Sequence, residues 1–142
     1  MENVTILETF TLPSKGEIYD KVITPTFRMR SMTTEDEMKR LAHSDDAYKI
    51  MSDIIDECIL DPIGISAYDM HLGDYQYLLH RLRVVTYGSE YKVQSACPAC
   101  GKIDSYIIDL DSIELEEYNK DSFNKYKFVQ LPRSKKLIEL NF

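Results

Sequence analysis

Apolar and polar positions alternate over residues 4–12, with Val4, Ile6 and Phe10 as the apolar set, until Pro13-Ser14-Lys15-Gly16 breaks the pattern. Alternation that ends on turn-forming residues predicts a strand entering a loop. It resumes over 26–32, where Phe27 and Met29 oppose Arg28 and Arg30, and the two strands are expected to pair. Thr34-Glu35-Asp36-Glu37 reads as a capping box that opens a short helix running to about Ala42. Ser44 is the expected cap of a second helix, in which Ala47, Ile50, Met51, Ile54, Ile55 and Cys58 recur at helical spacing, until Asp61-Pro62 ends it. A third helix is predicted from Gly73-Asp74 to Tyr87. Its apolar residues occupy more than one face, so it should pack between neighbours, and Gly88 stands where a left-handed C-terminal cap belongs.

The period then returns to two. Residues 90–96 and 103–110 flank Cys97-Pro98-Ala99-Cys100-Gly101 as the arms of a hairpin, and residues 104–121 carry seven acidic residues against one lysine, as expected of a solvated connection. Two further strands are expected at 123–131 and 137–142, about the turn Pro132-Arg133-Ser134-Lys135-Lys136. Strands, then helices, then strands, without βαβ alternation, predict an α+β fold with a central helical unit. The corresponding division is 1–32 for the N-terminal strands, 33–88 for the helical core, 89–110 for the knuckle hairpin and 111–142 for the acidic connector and C-terminal hairpin. The run Phe10-Thr11-Leu12-Pro13-Ser14-Lys15 is echoed by Val129-Gln130-Leu131-Pro132-Arg133-Ser134-Lys135, so residues 111–142 read as the start of a second copy of one module.

Composition narrows the function classes. The chain has 142 residues, 44% of them hydrophobic, enough for one domain with a core. Its 17 basic and 24 acidic residues give a net charge of −7, which repels a phosphate backbone, so nucleic acid is not expected as a partner. No apolar stretch reaches bilayer length and the start lacks the pattern of a secretory signal, so no membrane partner is expected. Three cysteines, two of them in C-x-x-C, suit a reducing compartment better than a disulfide framework, and the reading is a soluble protein made in a cytoplasm.

Cys97 and Cys100 on a tight turn are candidate ligands of a structural zinc, with a redox pair and a metal-free hairpin turn as the alternatives. A closed zinc site takes four ligands, so Cys58, His71 or His80 would have to join them, or another chain would have to contribute. Cys58 also reads as buried core, and each histidine as an ordinary surface or capped residue. No other cofactor is expected. There is no P-loop, nucleophile elbow, H-E-x-x-H or glycine-rich dinucleotide turn, and no catalytic residue is assigned. Arg81 and Arg83 could grip a carboxylate or phosphate, or lie along an apolar helix surface. Ten tyrosines without a tryptophan suit protein interfaces. A zinc-ribbon-like adaptor that binds nucleic acid or a polymerase is the alternative reading, but it needs a basic face and usually four cysteines.

The ordered set Leu12-Pro13-Ser14-Lys15-Gly16, Arg30-Ser31-Met32-Thr33-Thr34-Glu35-Asp36-Glu37, Leu72-Gly73-Asp74-Tyr75 through Thr86-Tyr87-Gly88, and Cys97-Pro98-Ala99-Cys100 resembles the baseplate hub assembly proteins of contractile-tailed phages of the T-even type. The resemblance runs from about Leu12 to Leu140. It implies a non-enzymatic protein that builds or forms part of the baseplate hub, located in the virion tail baseplate or, during assembly, in the host cytoplasm. Its implied partners are other phage tail proteins, with self-association as a further expectation. It also implies a longer chain after the second Leu-Pro turn.

Overall fold

The computed structural model describes residues 6–21, 23–116 and 118–140, except for the side chain of Tyr126. Val4, at the start of the first expected strand, and Asn141 and Phe142, at the end of the last, lie outside the described residues. The fold is α+β, with helices between antiparallel hairpins. Strand β1 (Leu7–Thr11) pairs antiparallel with β2 (Thr26–Arg30), with Phe10 opposite Phe27. Helices α1 (Thr34–Leu41), α2 (Ala47–Cys58) and α3 (Leu72–Tyr87) follow. Next come β3 (Glu90–Ala96) and β4 (Ile103–Asp109), antiparallel in register Ala96 opposite Ile103. Helix α4 (Lys120–Lys127) leads into β5 (Phe128–Gln130), which pairs with β6 (Leu137–Glu139).

The core forms where the apolar face of the first hairpin meets two helices. Leu12, Phe27 and Met29 pack in one cluster with Ile54, Ile55 and Cys58 of α2 and with Tyr75, Leu78 and Leu82 of α3. The alternation of β2 sets this arrangement: Phe27 and Met29 point inward, while Arg28 on the opposite face takes Asp61 in a two-pronged ion pair at 2.7 and 2.9 Å. The chain leaving α2 lies beside β2 through a Met29–Ile59 bridge and a Leu60 N–H to Arg28 carbonyl bond of 2.9 Å. Asp56 then fixes the following 3-10 turn, Ala67–Asp69, by accepting from the Ser66 hydroxyl at 2.6 Å and the Ala67 N–H at 2.8 Å. The inward residues of α3, including Tyr75, Leu78, Leu82 and Val85, show why its apolar positions spread over more than one face.

Four local expectations need correction. The cap of α1 is Thr33, one residue earlier than expected: its hydroxyl accepts from the Asp36 N–H while Asp36 reaches back to the Thr33 N–H. Either threonine has an acid three residues on, and the deciding partner is Arg30, which binds Asp36 at 2.7 Å and so selects the earlier pair. The cap of α2 is Asp46, because its carboxylate reaches the Lys49 N–H at 2.9 Å, whereas the Ser44 hydroxyl accepts from the Asp46 N–H. Gly88 caps α3 with φ 87° and ψ 168°, an extended mirror-image conformation and not the left-handed helical one; glycine alone adopts it without strain. Residues 123–127 are helical, not strand: Asn119 accepts from the N–H groups of Asp121 and Ser122, so the last part of the acidic connector nucleates α4, and β5 starts only at Phe128.

Candidate functional site

Three segments that stand far apart in sequence meet along α3. At its N-terminal end Asp74 is buried, and it accepts from the Ser14 hydroxyl at 2.5 Å, the Ser14 N–H at 3.2 Å and the Tyr19 hydroxyl at 2.7 Å. Tyr19 in turn accepts from the His71 N–H at 3.3 Å. Burial and the adjacent Asp74 carboxylate push the Tyr19 phenol far above its ordinary range, so it stays a donor. A carboxylate in the first turn of a helix is favoured by the helix dipole, and here its oxygens hold the Leu12-to-Tyr19 loop. The arrangement is a clasp, in which three donors from the loop converge on one carboxylate. At the other end of α3, the Thr86 hydroxyl accepts from the Met32 N–H at 3.1 Å and thereby anchors the segment that carries Arg30 and the α1 cap. The Leu-Pro-Ser-Lys-Gly loop, the Arg30-to-Glu37 stretch and the Leu72-to-Gly88 helix are therefore one mechanical unit.

The two arginines of α3 serve the segments beyond it. Arg81 binds Asp111 at 2.6 Å and lies against the rings of Tyr77 and Phe10, tying the 3-10 turn Leu110–Ser112 to the core. Of the two sequence readings for this residue, a grip on a carboxylate describes the contact made within the chain. Arg83 stacks over Tyr91, 4.6 Å from the ring centre, and donates to the Gly88 carbonyl at 3.0 Å. It brackets the base of the β3–β4 hairpin against the helix.

Beyond that bracket the hairpin is exposed on both faces. Tyr91, Ile103, Tyr106, Ile107 and Ile108 are solvent-exposed, as are Phe128, Val129, Leu131, Leu137, Ile138 and Leu140 of the C-terminal hairpin region. Apolar side chains on both faces of short two-stranded ribbons have no core of their own to enter.

The hairpin tip carries the cysteine pair. The Cys97 N–H donates to the Lys102 carbonyl at 2.8 Å and the Gly101 N–H to the Cys97 carbonyl at 2.8 Å, which curls the chain over the pair, and Gly101 at φ 70° supplies the required left-handed residue. Hydrogen bonds from the backbone N–H groups of Cys100 and Ala99, then from the Cys100 thiol, lower the pKa of the Cys97 thiol. The structure brings these two thiols together and holds the other candidate ligands in different surroundings. Cys58 is buried in the core at the end of α2, where burial pushes its thiol up to about 11. His71 precedes α3, its ring 5.3 Å from that of Tyr19 and 5.7 Å from that of Phe123. His80 lines a cavity of about 790 Å³ between α3 and the acidic connector, together with His71, Tyr77, Ile113, Tyr118 and Phe123. Among the described residues no group of three or more His, Cys, Asp or Glu side chains is placed to hold a metal ion. No helix among them is long and apolar enough to cross a membrane.

The Asp74 clasp and the Arg83 bracket were not foreseen from sequence. Their partners stand far apart in the chain, and the one available signal was an acid in the first turn of a helix beside a serine-bearing loop.

A family model described as T4 bacteriophage base plate protein matches residues 4–140. No curated protein and no solved structure matches the chain.

Proposed function

This chain belongs to the family of T4 bacteriophage base plate proteins, and from that premise we propose that it serves the central hub of the baseplate, as a non-enzymatic assembly or structural component that works through protein–protein contacts. Its place is the virion tail baseplate and its partners are other phage tail proteins. The observation that carries the finer reading is the pair of hairpins flanking α4. Each exposes apolar side chains, while the polar residues of the family-like segments are engaged within the fold. Two ribbons that bury almost nothing of their own suit contact with neighbouring proteins, with the edge of β6 open to strand addition.

The test is removal of residues 137–142, alongside the milder Leu137→Glu. Leu137 is 67% exposed, so the helical core should unfold at an unchanged urea midpoint while incorporation into baseplates falls. Wild-type assembly by both variants would refute the contact role. Mass analysis of finished particles then separates a retained hub subunit from a protein that departs after assembly.

A further inference from the structure

The cysteine turn has a second half to find. Four ligands close a structural zinc site, and this chain places two thiols on one turn while, among the described residues, no third ligand is grouped with them. The turn is already shaped for metal. The curled backbone brings the two sulfurs within hydrogen-bond reach of each other, with the N–H groups of Ala99 and Cys100 directed at the Cys97 sulfur. Both cysteines are accessible: Cys100 is exposed and Cys97 partly so, at the end of a ribbon whose two faces meet solvent.

The geometry points to a zinc site shared between two copies of this chain, with Cys97 and Cys100 of each copy supplying two of the four thiolates. Three observations favour a second copy as the source of the missing ligands. A twofold axis through the ion turns one two-thiolate knuckle into a closed four-thiolate site without any further residue type. The hairpin also carries little of the charge that keeps two strongly acidic chains apart. The chain carries a net charge of −7, yet Glu90, Lys92, Lys102, Asp104 and Asp109 leave the hairpin arms and turn with a net charge of −1, and the charges nearest the tip, Lys102 and Asp104, neutralise each other at 3.0 Å. Finally, Ile103 stands 65% exposed directly beside the turn, so abutting two tips covers apolar surface on both.

On binding, each thiol that becomes a ligand gives up its proton to solvent. Two chains and one ion therefore form four sulfur–zinc bonds, and the site carries a charge of −2 once all four thiolates are bound, with no oxidant or reductant involved. The N–H donors at Cys97 lie close to that charge. This inference concerns the cysteine knuckle alone and stands or falls independently of the baseplate reading.

The experiment uses the full chain, reduced, with zinc added and excess ion removed. Zinc content is measured against protein, and molar mass by sedimentation equilibrium, before and after a chelator. The expected result is one zinc per two chains, a dimer that the chelator converts to monomer, and an unchanged far-ultraviolet circular dichroism spectrum throughout. Cobalt in place of zinc should give the visible and charge-transfer bands of a tetrahedral four-thiolate ion. Cys97→Ser and Cys100→Ser, which alter an exposed tip, should each keep the helical spectrum and lose both the ion and the dimer; Cys58→Ala should retain both. One zinc per monomer, no zinc on the reduced chain, or a dimer that survives the chelator would each overturn the proposal.

Discussion

Replacing Asp36 by Asn should lower stability by about 2 kcal/mol at neutral pH, and the loss should fade in acid. The Asp36 side chain is 3% exposed and accepts from Arg30 at 2.7 Å, the Thr33 N–H at 2.8 Å and the Thr33 hydroxyl at 2.9 Å. Burial by itself would raise its pKa; the Arg30 guanidinium and the Thr33 donors outweigh that and hold it at about 2, below an ordinary 3.8. At about 1.4 kcal/mol per pH unit, that displacement is worth roughly 2 kcal/mol. The folded-state pKa lies below the unfolded one. The stabilisation is therefore complete above about pH 4 and is lost as pH falls toward about 2. Urea unfolding of both proteins at pH 7, 5, 3 and 2 measures this directly. The difference between them should be equal at pH 7 and 5, smaller at pH 3 and nearly gone at pH 2. A difference that stays constant across the series, or its absence at pH 7, would refute the assignment of this carboxylate as the joint between β2 and α1.

Two further outcomes follow from the packing. Leu82→Ala empties a site that is 1% exposed in the core and should cost about 2 to 5 kcal/mol, read as a lowered urea midpoint at unchanged slope. In the reduced, metal-free protein a thiol reagent at neutral pH should modify Cys97 and Cys100 quickly and Cys58 only at the rate of unfolding, because burial both shields that thiol and pushes it up to about 11; rapid modification of all three would show that the end of α2 opens.

The first strand pair, the two helices of the core and the cysteine hairpin were legible in the sequence because each is set by local period, and α1 because its cap is written in the Thr-Thr-Glu-Asp-Glu run. Phe27 and Met29 alternate into the core, and α2 repeats its apolar positions at helical spacing, so neither needed tertiary information. Residues 123–127 misled because Phe123, Tyr126 and Phe128 do not favour a helical period over an extended one, and the arbiter is Asn119, whose side chain captures the N–H groups of Asp121 and Ser122 and so starts a helix ahead of Phe123. The cap of α1 was displaced by one residue for a similar reason: two adjacent threonines each have an acid three positions on, and only Arg30, from the preceding strand, breaks the tie. At the candidate site the cysteine pair was visible as a motif. The Asp74 clasp was not, since its partners lie 55 and 60 residues away and no periodicity connects them.

The echo between the two Leu-Pro turns has a use of its own, because the chain supplies a matched pair. Lys15 and Lys135 are the non-glycine residues with positive φ among those described, at 52° and 57°. In each turn the serine before the lysine accepts from the N–H two residues on, Gly16 to Ser14 at 3.2 Å and Lys136 to Ser134 at 3.4 Å. The Ser-Lys step is thus reproduced, although the second turn holds one more residue: the Lys15 N–H closes on the Leu12 carbonyl three residues back and the Lys135 N–H on the Leu131 carbonyl four residues back. The surroundings differ as well. Leu12 is 1% exposed against the helices and Leu131 is 37% exposed. One chain therefore holds the same Ser-Lys step twice, once locked by the Asp74 carboxylate and once facing solvent, so the contribution of that lock can be read by comparing the two turns within a single molecule.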